Sequence, residues 1–153
     1  MTNLIIAIAD APSNQGLAHS DGDARNAAPV ERGRPHLTPH WCADDQPFAL
    51  TVPGMMSVPY SIEVNDISLF AGKSLSGEAF YQIVVDQFDQ LYKDGEKTGR
   101  VMSLCLHPFI INQPFRHKYL EKALQYIANH DGVWLTTSDD IAAHYAKNYM
   151  SAN

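Results

Sequence analysis

Apolar residues recur at three- and four-residue spacing over Phe80, Ile83, Val84, Phe88, Leu91 and Tyr92. That period predicts an amphipathic helix with one face buried. Ser76 is placed to cap its start and Gly95 to end it. The run Arg100-Val-Met-Ser-Leu-Cys-Leu106 is almost continuously apolar, as suits a strand covered on both faces. A second helix is predicted over residues 115–129, with Tyr119, Leu120, Ala123, Leu124 and Ile127 on its apolar stripe and Gly132 beyond its end. Val133-Trp-Leu135 reads as a short strand. Thr137 and Asp140 form a capping box for a last helix carrying Ile141, Ala142 and Tyr145. Upstream, residues 48–52 and 57–64 read as strands separated by the turn signal Pro53-Gly54. Pro59 marks the second of these as a strand start or an edge.

From Ser57 the order is therefore strand, helix, strand, helix, strand, helix. Alternation of this kind means an α/β fold with parallel strands and crossover helices. Three such units are too few to close a barrel, which typically needs about eight. As an open sheet they would leave an unpaired edge.

The first forty residues differ in character. Residues 10–40 are rich in Ala, Asn, Asp, Gly, Pro and Ser and carry almost no large apolar side chains. Such a segment buries too little to offset its ordering entropy. Residues 1–40 are expected to be mostly loop or disorder, separate from a domain over residues 41–153. Within them, residues 4–9 are apolar and end at Asp10. They lack the Lys or Arg that opens a secretory signal and read as a buried strand.

Composition narrows the function classes. The chain has 153 residues, 45% hydrophobic and 18% charged, as in a soluble globular protein. A net charge of −6 without any basic stripe argues against nucleic acid as a partner. No apolar run approaches the roughly 20 residues of a membrane span. Two cysteines, Cys42 and Cys105, are too few for a disulfide framework and read as reduced thiols of a cytoplasmic protein.

In folds of this class chemistry sits at the C-terminal ends of strands. His107 directly follows the apolar strand and precedes Pro108. An imidazole titrates near neutral pH and can deliver a proton to a leaving nitrogen. Taken alone, a histidine there is more often structural. Glu63, Asn65 and Asp66 place two carboxyls and an amide near another strand end. In a strand Glu63 and Asn65 would share one face. The set could orient a polar substrate or His107, or could simply make a turn. His36 and His40 sit four apart, but Pro35 and Pro39 argue against a zinc-binding helix. Asp21-Gly-Asp23 lacks the later ligands of a calcium loop. No Gly-rich phosphate loop and no Gly-x-Ser-x-Gly turn is present.

Several segments together resemble one family. They are Trp41-Cys-Ala-Asp-Asp-Gln-Pro47, Val58-Pro-Tyr-Ser-Ile-Glu-Val-Asn-Asp-Ile67, Asp86-Gln-Phe-Asp-Gln-Leu-Tyr92, Ser103-Leu-Cys-Leu-His-Pro108 and His130-Asp-Gly-Val-Trp134. In this order they resemble the C-terminal part of the polysaccharide deacetylase (NodB-homology) family, and within it the allantoinase-like branch. The resemblance covers residues 41–149. It implies a partial (β/α) barrel of about three C-terminal units. It also implies hydrolysis of non-peptide C–N bonds, in N-acetyl sugars or allantoin-like cyclic amides. By the same resemblance, His107 is the general acid, and Glu63, Asn65 and Asp66 are substrate-pocket residues. The family often binds a divalent metal. Its early Thr-Phe-Asp-Asp-Gly motif does not occur in this sequence, and the one His-x-x-x-His spacing, His36 to His40, falls among prolines, so no metal or other cofactor is expected.

Three functions follow as expectations. The first is a truncated hydrolase, inactive unless a separate N-terminal chain complements it. The second is a non-catalytic module that uses the barrel fragment for oligomerisation or protein association. The third is an enzyme active alone through Glu63, Asp66 and His107.

Overall fold

Strand β5 (Arg100–Leu106) organises the structure, because all of its residues after Arg100 are buried. A strand alternates its side chains between two faces, and here the two faces meet different partners. Met102, Leu104 and Leu106 join a cluster with Phe80, Val84, Phe88 and Leu91 of α1 (Gly77–Asp94) and Leu120, Ala123 and Ile127 of α3 (Pro114–Ala128). Val101 joins a second cluster with Met56, Val58, Ile141 and Ala142. The structure is a computed structural model that describes residues 4–10, 36–40, 45–51 and 54–150, the first two stretches as strand backbone.

Two small sheets result. In one, β1 (Leu4–Asp10) lies between β5 and β6 (Val133–Thr136) and runs parallel to both. In the other, β4 (Met55–Pro59) lies between β2 (His36–His40), parallel, and β3 (Phe48–Ala49), antiparallel. The remaining helices are α2 (Pro108–Ile111) and α4 (Ser138–Tyr149). No helix among the described residues is long and apolar enough to cross a membrane.

Local chemistry sets the helix ends where the sequence placed them. Ser76 Oγ accepts from the Ala79 amide at 3.1 Å, and the Gly95 amide donates to the Leu91 carbonyl at 2.8 Å. Thr137 Oγ1 accepts from the Asp140 amide at 3.3 Å and donates to its carboxylate at 3.1 Å. Each bond satisfies a backbone or side-chain group that a helix end would leave unpaired. Gly132, past the end of α3, adopts a φ of 75°, open to glycine at little steric cost.

The stretch over residues 57–64 departs from expectation. The strand stops at Pro59, which has no N–H to extend a ladder. The chain then turns through residues 62–64 and meets β5 by one isolated bridge, Asn65 to Cys105. A π-helical turn, Ile67–Gly72, follows. β4 therefore lies in a different sheet from β5 and β6, and the expected series of three parallel units does not form one sheet.

The division at residue 41 is also crossed by strand pairing. The strand expected over residues 4–9 forms as β1, and it pairs along its whole length with β5. Without it, the facing edges of β5 and β6 would lack backbone partners. β2 holds His36 and His40 on extended backbone, about 13 Å apart along the chain. Residues 11–35, which include Asp21 and Asp23, and Cys42 lie outside the described residues.

Asp45 and Gln46, from the first of the resemblance segments, pin the start of β5. The Val101 amide donates to the Asp45 carbonyl at 2.7 Å, and Gln46 Nε2 donates to the Gly99 carbonyl at 2.8 Å. Arg100 Nε lies 3.0 Å from Asp45 Oδ2, an ion pair not aligned as a hydrogen bond. Their work is structural.

α1 and α3 approach closely at Gly77, where a Cβ would clash with the Tyr119 ring. Gly77→Ala should destabilise the fold by about 1–3 kcal/mol, despite alanine's better helix propensity. Gly99, where an added methyl would meet nothing within 4 Å, is the control. Urea titration should show Gly99→Ala unchanged within about 0.5 kcal/mol.

Candidate functional site

His107 sits where β5 becomes α2. Its backbone is still extended, with φ −115° and ψ 113°. By strand alternation its side chain shares a face with Ser103 and Cys105, opposite the helix-covered face of Met102, Leu104 and Leu106. Pro108 then opens α2, where a missing N–H is harmless. The His107 carbonyl accepts from the Ile110 and Ile111 amides at 2.8 and 3.0 Å. The residue is thus fixed through its own backbone.

Its side chain is fixed by Asp66. That carboxylate is fully buried and accepts from His107 twice: from the backbone N–H at 2.7 Å and from ring Nδ1 at 2.6 Å. Both carboxylate oxygens serve as acceptors, so Nδ1 carries the hydrogen and Nε2 is the nitrogen left for chemistry. The His107 side chain keeps 17% of its surface exposed while Asp66 keeps none. One end of the pair is therefore reachable and the other is sealed.

The neighbouring candidates divide. Asn65 is buried, but its side-chain oxygen accepts from the Ile67 amide at 3.2 Å and its carbonyl accepts from Leu69 at 3.1 Å. It builds the turn that presents Asp66. Glu63 stands exposed on the turn at residues 62–64. The expected shared strand face for Glu63 and Asn65 does not occur, because this stretch is a turn and not a strand. Of the four expected residues, the structure brings Asp66 and His107 into direct contact.

Two residues that the sequence did not single out belong to this neighbourhood. Burial, with Cys105 and Asp66 nearby, pushes the Tyr60 phenol up to about 12. Burial also pushes the Cys105 thiol up. Its sulfur lies 3.6 Å from the Ser61 carbonyl and 3.7 Å from Ser103 Oγ. A buried neutral thiol of this kind is a packing group, since nucleophilic cysteines need the thiolate. Phe109 is the second residue: it is 70% exposed and meets the His107 ring edge-on at 5.7 Å between centroids. The signal for it was a large aromatic directly after His-Pro, ahead of two isoleucines able to take the core positions. Across β5, the register sets Asp10 of β1 beside Leu106, so the C-terminal ends of both strands lie together.

Among the described residues, no three His, Cys, Asp or Glu side chains gather to hold a metal ion.

The chain is similar to known proteins. The chain is 34% identical over 109 residues to a Schizosaccharomyces pombe protein named as a polysaccharide deacetylase. The chain is related to the polysaccharide deacetylases. The match takes in 68% of this chain and 34% of the yeast protein. Among solved structures, a polysaccharide deacetylase of Pseudomonas aeruginosa PAO1 superposes with a TM-score of 0.71 at 29% identity. PuuE allantoinase superposes with a TM-score of 0.70 at 26% identity. Each covers 76% of this chain, which spans 40% of either structure. A Mycobacterium smegmatis protein named in the same way, 21% identical with a TM-score of 0.60, shares the fold. No family model matches the chain. The structure is mixed α/β and similar in fold to part of these proteins, of which it spans less than half.

Two measurements probe the site. Asp66→Ala would leave two His107 donors without their acceptor, and should lower stability by about 1–3 kcal/mol in urea titration. It should also abolish a far-downfield ring N–H proton resonance from His107, which Asp66→Asn should weaken. For Tyr60 the folded phenol loses its proton at higher pH than the unfolded one. Its contribution to stability is thus complete below about 10 and is lost as pH rises through about 12. Tyr60→Phe should flatten that segment of the stability–pH curve. An unchanged curve would refute the assignment.

Proposed function

We propose that this chain carries the acid half of a hydrolase for non-peptide C–N bonds, in N-acetyl sugars or allantoin-like cyclic amides. The Asp66–His107 pair is the observation that carries the reading. Cleaving an amide requires water to add to the carbonyl carbon and the nitrogen to leave. An amide nitrogen leaves poorly as an anion, so it must receive a proton as the C–N bond breaks. From its imidazolium form His107, held through Nδ1 by Asp66, donates the Nε2 proton to that nitrogen and is left as the neutral Nδ1–H ring. Asp66 acts through His107 as a positioning residue, fixing the ring's tautomer and orientation. Glu63 is the expected pocket residue that stays exposed, and we assign it to substrate contact.

The group that activates water is not assigned to the described residues. The chain spans 34% of the yeast relative and 40% of the solved structures. We infer that turnover needs a segment equivalent to the rest of those proteins. Preorganised geometry on both sides of the carbonyl is where most rate enhancement arises. On this reading the chain alone is inactive or very slow. The buried free thiol of Cys105 fits a reducing compartment, and we place the protein in the cytoplasm.

The test is hydrolysis of allantoin and of N-acetylated chitin oligomers by the chain alone and together with the N-terminal portion of the yeast relative. Activity is expected in the pair. His107→Ala should reduce it by about 10²–10⁴-fold. Absence of hydrolysis in every pairing, or activity indifferent to His107, would sink the reading.

A further inference from the structure

We infer that Phe109 is a substrate-contacting residue, an aromatic platform beside His107 that selects amides carried on a ring over acyclic ones. The inference rests on the proposed hydrolysis at His107 and adds a specificity element to it.

The argument begins with α2. Pro108 fixes its first residue, and Ile110 and Ile111 are 7% and 3% exposed within the main core cluster. Arg116 Nη1 donates to the Ile110 carbonyl at 3.0 Å and ties the helix down from the α3 side. With two adjacent positions turned inward, the position before them faces away from that core. Phe109 is the residue there, and its 70% exposure is the highest among the exposed large apolar side chains of the described residues.

A single exposed phenylalanine is ordinary and calls for no function. Its surroundings separate this one from the others. Phe115, 62% exposed, already lies under the Arg116 guanidinium at 4.9 Å. Phe109 instead meets the imidazole of His107, at an interplanar angle of 76°. The imidazole ring is held by Asp66 and the α2 backbone is anchored by its isoleucines. The aromatic surface therefore stands next to the imidazole that would protonate the leaving group.

An aromatic ring so placed favours a ligand with a flat or weakly polar face. The C–H face of a pyranose and the plane of a cyclic ureide both qualify. An acyclic amide offers the same bond for cleavage without that face. Contacts of this kind typically change affinity by about tenfold.

Ligand-observed NMR titration of the full chain with allantoin, with di-N-acetylchitobiose and with acyclic N-acetylethanolamine tests the inference. Phe109→Ala should weaken the ring-bearing ligands by roughly tenfold and leave the acyclic amide unchanged. Phe109→Tyr should restore ring binding. Comparing the two rings decides between a sugar and a cyclic ureide. Equal affinities for wild type and Phe109→Ala, an equal loss for the acyclic amide, or no ring binding by wild type would each overturn the inference. Thermal melting of Phe109→Ala should match wild type, since the side chain buries little. Hydrolysis that depends on His107 with ring binding indifferent to Phe109 would remove this inference and keep the proposed function. Ring binding that depends on Phe109 without hydrolysis dependent on His107 would do the reverse.

Discussion

Two hydrogen bonds from one residue to one buried carboxylate hold the candidate site together. Asp66 accepts from the backbone and the ring of His107. This joins a turn after β4 to the end of β5 across 41 positions of sequence. A fully buried carboxylate without such partners would be strongly unfavourable. The contact therefore constrains both sides. The turn must bring Asp66 to the strand end, and the strand must end with its side chain on the face opposite the helices.

The rest of the fold meets those demands by ordinary means. Apolar alternation in β5 gives the helices one face and leaves the other for Ser103, Cys105 and His107. Asn65 closes the turn with its own side chain, and the π-helical turn Ile67–Gly72 buries Leu69 and Phe70 immediately afterwards. Local irregularity of this type is frequent where a side chain must be aimed rather than packed. The regular helices α1 and α3 supply the burial that supports it.

The legible parts of the sequence were those where one residue decides one geometry. Ser76 and Thr137 cap helices through their own hydroxyls, and the helix periods come from side chains spaced along a single segment. The strand at residues 100–106 was equally plain, because burial on both faces leaves an apolar run. What escaped was long-range or irregular. Within residues 57–64 Pro59 signalled a strand start or an edge, but not that pairing ends there, since the β-branched and aromatic pattern continues past it. The placement of β1 between β5 and β6 depends on partners about a hundred residues away. His107 and Asp66 were each visible as candidates, and orienting His107 was one reading of the set at 63–66, but which carboxyl would reach it was not legible, because the contact is a tertiary hydrogen bond. Phe109 was missed for a related reason: only the burial of Ile110 and Ile111 shows that it is left outside.

The division of labour we propose around His107 follows from these constraints. A general acid must be oriented, and orientation is best provided from the buried side. Substrate choice must be made from the open side, where a ligand can arrive. Asp66, with no exposed surface, and Phe109, largely exposed, both contact one imidazole. A change at Asp66 would alter the ring's geometry, and with it every substrate. A change at Phe109 would leave that geometry alone and alter only which substrates stay. That separation is physical, because the two residues reach His107 through different forces: hydrogen bonds to a sealed charge on one side, and an exposed aromatic surface on the other.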